Sequence, residues 1–365
     1  MVIRSDQVGS LLRPPALLQA RAAHAAGEVD AEGLRAAEDE AILRLLDRQR
    51  AIGIDVVTDG ELRRAAWQTN VSEAIDGFVD ASRTMTWHGA DGTVTRSLSY
   101  SKVVGGRLTP RRRIAGTDAA FLAAHAGRAY KVTMPSPILV AGAGWADGTT
   151  NEAYRDRDEL LADVVRLIGS ELAALAADGV GYLQLDEGFT PFVGTEWLDA
   201  MPDATGALER AIEAENATFA HLDGVEVAGT AVVRAIHICR GNHRSRWTSE
   251  GSYDALAEQV FNRLEVDRFL LEYDSERSGG FEPLRHVPAG KVAVLGLVSS
   301  KTGVLEVRDQ ILRRIEEAHR HAPLDRLALS PQCGFASTEL GNLLTEDEQW
   351  CKLELVVSVA REIWG

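Results

Sequence analysis

The chain has 365 residues, 45% of them hydrophobic and 25% charged, the composition of a folded globular protein rather than a disordered or collagenous one. With 39 Lys and Arg against 54 Asp and Glu the formal net charge is −15, and this balance speaks against general nucleic-acid binding, which needs clustered cations to neutralise phosphates. A membrane-spanning class is excluded as well, since the longest apolar runs, such as Ile138–Ala143 and Val292–Val298, fall far short of the ~18 residues a spanning helix requires.

The start, Met1-Val-Ile-Arg-Ser-Asp6, has no apolar signal core, so a cytoplasmic location is expected. A first strand is predicted at Gln7–Ser10. A helix follows over Glu32–Ile52, with Ile42, Leu45, Leu46 and Ile52 near the 3.6-residue period. The second strand is Asp55–Thr58. Next, Thr84–Gly105 alternates polar and apolar residues around Ala90-Asp-Gly92, which predicts a β-hairpin inserted after the second strand, near the mouth or the side of the fold. The run Arg111–Arg113 reads as a solvated loop. Then come a strand at Tyr130–Thr133, a helix over Asp158–Asp178, and strands at Tyr182–Asp186 and Val232–Cys239. A helix over Tyr253–Leu264 leads to strands at Arg268–Tyr273 and Val292–Val298. A helix over Val304–His321, a strand at Arg326–Ser330 and a helix over Ser337–Ile363 complete the chain.

The strand stretches are nearly continuous in apolar character, as parallel strands covered on both faces should be. Eight of them alternating with helices predict one (βα)8 TIM barrel over residues 1–365. An open doubly wound sheet fits less well, because no G-x-G-x-x-G opens an early helix.

In such a barrel the packed interior is expected to be apolar and the chemistry sits where strands end. The strand ends here are polar: Gly9-Ser10, Asp59-Gly-Glu61, Asp186-Glu187, His237-Ile-Cys239, Glu272 with Asp274, Ser299-Ser300, and Gln332-Cys333. His237 and Cys239 alternate along a strand, so their side chains share a face. Taken alone this dyad is either a buried thiol beside a satisfied core histidine or a zinc-type pair. Glu272 ends the next strand and Cys333 follows the last, so four candidate ligands converge on one mouth. Cys351, mid-helix, reads as structural, and three scattered cysteines make no disulfide framework. Two thiolates, an imidazole and a carboxylate would leave Zn2+ at about −1 net charge, a poor activator of water and a good holder of a thiolate nucleophile. Glu272, the hardest ligand of the four, is the one expected to loosen when a substrate sulfur enters. Asp186 and Glu187 close an apolar strand, and a buried acid is costly without a partner; Asp186 is the first choice for a role and Glu187 a proton-handling residue. Trp67, Trp87, Trp145 and Trp247 are candidate mouth residues or packing. His243 reads as a loop residue, and the sequence leaves the reach of His88 open.

In order along the chain, Val8-Gly-Ser-Leu-Leu-Arg-Pro14, Asp55-Val-Val-Thr-Asp-Gly-Glu61, Tyr182-Leu-Gln-Leu-Asp-Glu187, His237-Ile-Cys239, Leu271-Glu-Tyr273 and Ser330-Pro-Gln-Cys-Gly334 resemble the catalytic barrel of cobalamin-independent methionine synthase. They resemble more closely its short single-barrel relatives, including epoxyalkane:coenzyme M transferase-like proteins. The resemblance implies zinc ligands His237, Cys239, Glu272 and Cys333, and an amino-acid pocket for homocysteine at Gly9, Ser10, Glu61 and Asp186. Glu61 and Asp186 would pair with the ammonium and Ser10 with its backbone would take the carboxylate. It implies a zinc-dependent thiol S-methyltransferase that gives methionine. Three features depart from that pattern: the synthase's N-terminal half is missing, Asp-Glu-Pro is Asp186-Glu-Gly188, and Arg240, Arg244 and Arg246 crowd the segment after His-x-Cys. Guanidinium groups there would suit a sulfonate or carboxylate, so alkyl or epoxide transfer to coenzyme M or another small thiol is the alternative. Folate, a corrinoid protein or another methylated compound are donor candidates, and the sequence leaves a homo-oligomer or an accessory partner protein open. The metal-free decarboxylase chemistry of uroporphyrinogen decarboxylase, which shares this barrel type, is disfavoured by the complete zinc set.

Overall fold

The computed structural model describes residues 2–194, 198–199 and 201–365, with the side chains of all but 98–101. Its regular strands, in chain order, are β1 (Ile75–His88), β2 (Val94–Pro110), β3 (Val132–Pro135), β4 (Tyr182–Asp186), β5 (Glu226–Val227), β6 (Thr230–Ala231), β7 (Val233–Ile238), β8 (Arg268–Glu272), β9 (Val292–Val298) and β10 (Leu327–Pro331). Six form a wholly parallel sheet in the order β3-β4-β7-β8-β9-β10. Two short extended segments close it. Asp6 N donates to Leu329 O at 2.9 Å and Leu329 N to Arg4 O at 2.9 Å, while Val57 N donates to Ala129 O at 3.0 Å and Lys131 N to Val57 O at 3.1 Å. Asp55 N reaches Ser5 O at 3.3 Å and joins the two segments. The predicted barrel is therefore present, with its first two strands reduced to single bridges.

Alternation along the strands sorts the side chains. Leu183, Leu185, Ile236, Ile238, Phe269 and Leu271 face the surrounding helices and join the large outer core. Val8, Val56, Tyr182, Ala235, Leu270, Val294 and Ala328 form the barrel's inner plug. The strand ending in β3 contributes Lys131 instead, and here the expectation of an apolar interior fails. Lys131 Nζ pairs with Asp6 Oδ1 at 2.8 Å, both side chains being fully buried. Tyr182 donates to Asp6 Oδ2 at 2.9 Å and Arg268 lies 3.4 Å from the same oxygen. Burial works against the Asp6 carboxylate, but Lys131 and Arg268 hold its pKa below the usual range. An interior charge survives only with such partners.

The helices match in outline and differ at their ends. Ala31–Ile52 begins at Asp30, whose side chain accepts from Gly33 N, and stops at Gly53 in the left-handed region, φ 79°. Arg157–Ala177 and Asp254–Arg263 fall where periodicity put them. The helix predicted from Val304 starts at Arg308, because Val304, Leu305 and Val307 are exposed and Val307 is extended. The helix predicted from Ser337 starts at Glu346, set by a capping box in which Thr345 and Glu348 satisfy each other's backbone N–H groups. The freed segment crosses the barrel mouth instead: Trp67 N donates to Ser337 O at 2.9 Å and Glu339 N to Ala65 O at 2.8 Å. Pro15–Ala25, Gly116–His125, Pro137–Gly144 and Ala204–Phe219 are helices the sequence reading passed over.

The hairpin is longer than predicted and its position is settled. β1 and β2 pair antiparallel from Ile75–Pro110 to His88–Val94. His88 N donates to Trp247 O at 2.8 Å and Trp247 N to His88 O at 3.1 Å, which clasps the tip over the mouth. Arg111–Arg113 is a loop at its base, as read. Among the described residues no helix is long and apolar enough to cross a membrane.

Candidate active site and metal centre

At the C-terminal ends of β7 and β10, His237, Cys239 and Cys333 bring one ligand atom each within 4.8 Å of one another, all three buried. The sulfurs lie 4.0 Å apart, too far for a disulfide. Two thiolates on one tetrahedral ion, each with a bond of ~2.3 Å, sit ~3.8 Å apart. The imidazole is already oriented. Its Nδ1 lies 3.1 Å from Leu270 O, an acceptor only, so Nδ1 carries the proton. That leaves Nε2 with a free lone pair, and Nε2 is buried without a partner. An orphaned imidazole nitrogen facing two sulfurs fits a soft, tetrahedral cation such as Zn2+.

The three groups share protons as a unit. A hydrogen bond from Cys239 holds the Cys333 thiol well below the usual range, against burial and with help from His237. Burial opposes a charged His237, yet the neighbouring Cys333 sulfur raises it to about 9, so the Nε2 lone pair becomes available to a cation only as that proton leaves. Burial and then Cys333 push Cys239 up. A divalent cation would displace these protons.

Glu272 is fully buried beside this cluster but is not one of the three converging groups. Its Oε2 accepts from Arg240 N at 2.9 Å, and its Oε1 is held by Arg277, whose Nε lies at 3.2 Å. Arg277 and neighbouring cations overcome burial and keep it below the usual carboxylate range. The carboxylate that touches Cys239 Sγ is Glu187, whose other oxygen accepts from Thr190 Oγ1 at 3.1 Å. Burial and then the Cys333 charge push Glu187 up.

A second set of predicted residues shares the same cavity, of ≈ 530 Å³. Ser10, Glu61, Asp186, Glu187, His237 and Cys333 all line it. Gly9, Cys239 and Glu272 are not among the lining residues. Gly9 acts through its missing side chain: a Cβ there would lie 2.8 Å from Glu61 Oε1 and 3.0 Å from Thr133. Likewise a Cβ on Gly334 would overlap Ser10 Oγ. Glu61 is fixed by Thr133 Oγ1 at 2.7 Å and faces Arg64 at 3.5 Å, while its Oε2 is buried and unpaired. Glu61 and Glu187 adopt φ of 56° and 72°, a left-handed conformation uncommon for residues with a Cβ and concentrated at functional sites. Asp186 accepts from Gln184 Nε2 at 2.7 Å, and burial, with Glu61 adding to it and His237 opposing, pushes its pKa up to about 7.

The arginines do not serve as expected. Arg240 is fully buried and spends its guanidinium on Gly251 O, at 2.9 Å from Nε, and on Tyr253 Oη at 3.0 Å. Arg244 is exposed, and neither it nor Arg246 lines the cavity. Of the tryptophans, Trp67 and Trp87 line the cavity and Trp145 and Trp247 do not. His88 serves the clasp through its backbone. His243, read as a plain loop residue, lines the cavity and stacks on Trp87 with ring centroids 5.0 Å apart. Gln184 also escaped notice, although its place two residues before Asp186 on one strand face was a usable signal. Cys351 is exposed on the last helix, away from the site.

Behind Asp186 lies a fully buried acid, Glu215, which accepts from Ser136 Oγ. A Cβ at Gly188 would lie 2.5 Å from its Oε1, so glycine at this position leaves room for this carboxyl. Burial pushes Glu215 up to about 8, with Ser136 opposing and Asp186 adding to it. An unfolded Glu titrates near ~4.3, so between these values the native state holds a proton that the unfolded chain releases. Stability therefore falls as pH rises across that window. Glu215→Gln is expected to flatten this fall by up to ~1.4 kcal/mol per pH unit between about pH 5.5 and 7.5. Urea unfolding of both proteins at several pH values checks it; an unchanged slope would mean the buried carboxyl is not neutral.

Fold and site together define a class: a (βα)8 barrel whose mouth joins a His-Cys-Cys centre able to hold a metal to a pocket of buried carboxyl groups. The family model for the cobalamin-independent synthase, catalytic domain, matches residues 5–362, and the chain belongs to that family. It is 40% identical to the uncharacterized protein YxjH of Bacillus subtilis, over 99% of this chain and 94% of that one. It is 23% identical to the methionine synthase of Pyrococcus abyssi, over 92% of this chain and 86% of the other. A crystal structure of a candidate vitamin-B12 independent methionine synthase from Listeria monocytogenes aligns with a TM-score of 0.75 and 29% identity, covering 100% of this chain and 99% of that one.

Proposed function

We propose that this chain is a zinc-dependent S-methyltransferase that moves a methyl group onto the sulfur of homocysteine to give methionine, working as one catalytic barrel. The observation that carries the proposal is a single cavity in which the His237, Cys239 and Cys333 cluster adjoins Ser10, Glu61 and Asp186. An amino-acid thiol needs both ends at once. The name of the Pyrococcus relative agrees with it.

In this reading His237, Cys239 and Cys333 would hold Zn2+, with Glu272, now held by Arg277 and Arg240 N, as the candidate fourth ligand. When bound, zinc supplies the Lewis acidity that lets the acceptor sulfur shed its proton near neutral pH. Glu61 and Asp186 take the ammonium. Ser10 and the backbone beside it take the carboxylate. These two grips fix the sulfur's position and prepay its orientation, so the methyl carbon can be met in line. Arg277 gives Glu272 an alternative partner, so the carboxylate can yield its place without being left unpaired. Glu187, which touches Cys239 Sγ and whose pKa burial pushes up, is the residue placed to pass a proton to a leaving group that needs one. The donor enters from the outer end, walled by Trp67, Trp87 and His243.

The coenzyme M alternative loses its support, because the arginines invoked for a sulfonate are buried and engaged or lie off the cavity. Zinc content per chain, followed by X-ray absorption with homocysteine and with coenzyme M, tests the proposal. One zinc with two sulfur ligands, gaining a third sulfur with homocysteine only, is the expected result. A zinc-free protein after metal-replete purification, or a sulfur gained only with coenzyme M, would overturn it.

A further inference from the structure

The Gln7–Ser10 segment and Asp186 come from opposite ends of the first half of the chain, yet one buried side chain touches both. Gln184 Nε2 donates to Val8 O at 2.8 Å and to Asp186 Oδ1 at 2.7 Å. Its Oε1 accepts from Lys131 Nζ at 2.7 Å. An ammonium only donates, so Lys131 dictates which end of the amide faces it. The amide nitrogen is thereby forced toward Asp186 and Val8, and the two-fold ambiguity of a glutamine is removed. The ammonium is itself pinned by Asp6 Oδ1 at 2.8 Å and by Gln7 O. Asp6 is fixed in turn by Tyr182 and Arg268. Every polar atom of Gln184 is used, and none faces a substrate.

We infer that Lys131 and Gln184 form a buried positioning unit that sets the two halves of the amino-acid pocket at a fixed separation. One arm holds the Val8-Gly9-Ser10 backbone, which takes the carboxylate. The other occupies Asp186 Oδ1, so that Oδ2 is the oxygen left for the ammonium. This rests on the reading of Ser10 and Asp186 as amino-acid contacts. Gln184 is a positioning residue: it acts through Asp186 and Val8. The barrel interior supplies the rigidity, because Gln184 lies within β4, Lys131 directly precedes β3 with its N–H tied to Val57 O, and both side chains are buried.

The test uses Gln184→Met, which keeps the volume and removes all three hydrogen bonds. It also uses Gln184→Glu, which still accepts from Lys131 but can donate to neither Val8 nor Asp186. KM is measured for homocysteine, for 4-mercaptobutanoate, which lacks the amine, and for propane-1-thiol, which lacks both polar groups, alongside zinc content and thermal midpoint. Both variants are expected to retain zinc. Both should raise KM for homocysteine roughly 10- to 100-fold, the scale of a lost charge-assisted contact, with a smaller rise for 4-mercaptobutanoate and none for propane-1-thiol. Equal rises for all three thiols would overturn the positioning role, and so would loss of fold and zinc in both variants. A wild-type protein that does not favour homocysteine over propane-1-thiol would instead defeat the amino-acid reading of the pocket.

Discussion

On the proposed function, Cys239→Ser and Cys333→Ser are each expected to bind little zinc and to show no thiol-methylating turnover, with the barrel still folded. A serine hydroxyl does not ionise at neutral pH, so each change removes one anionic ligand outright. Loss of a mere supporting group already weakens a metal site by ~10- to 100-fold, and loss of a ligand should exceed that. The fold should survive because the two sulfurs pack at the mouth and the outer core, from Leu183 to Leu329, is untouched. Metal analysis after dialysis, with circular dichroism on the same samples, reads both outcomes. Full zinc retention in either protein would refute the ligand assignment. Glu272→Gln is the informative companion. Its carboxylate sits on Arg277 and Arg240 N, so zinc should bind more weakly without being abolished.

Glu61→Gln is expected to raise KM for homocysteine roughly 10- to 100-fold while leaving KM for 4-mercaptobutanoate within a few fold. The arithmetic is that of one charge-assisted hydrogen bond, about 1.5–3 kcal/mol. Glu61 suits this role because burial pushes its pKa up against the pull of Arg64, and because Oε2 is buried with no partner. An incoming ammonium satisfies that oxygen and favours the charged carboxylate. Gln keeps the shape and the bond from Thr133, so the backbone at φ 56° has no new reason to relax. Equal losses with both thiols would reject the ammonium-binding role. Gly9→Ala should reproduce part of the effect, since its Cβ would press on Glu61 Oε1 at 2.8 Å.

The order of the main parallel strands and of the long helices between them was legible because both carry their periods locally, in the runs from Tyr130–Thr133 to Arg326–Ser330. The alternation that sets His237 and Cys239 on one face is equally local, and so the cluster at the mouth was readable once eight strands were counted. The capping box at Thr345 was readable too and was overrun by the apolar period beyond it. What long side chains do at the site is a different matter. Arg240 follows the His-x-Cys pair and looks free in the sequence, yet Gly251 and Tyr253 consume it. Glu272 sits in register with the ligands and is turned by Arg277. Glu187, adjacent to the chosen acid, is the one that meets Cys239. Lys131 and Asp6 occupy an interior that strand patterning fills with apolar residues. The partners in the first two cases sit on connecting segments 5 to 13 residues away whose path the local period does not carry, and those in the last two lie far along the chain, 52 residues for Glu187 and Cys239 and 125 for Asp6 and Lys131. Period and spacing fix which face a residue occupies, and a charged group's partner is chosen only when distant strands close around it and water is gone.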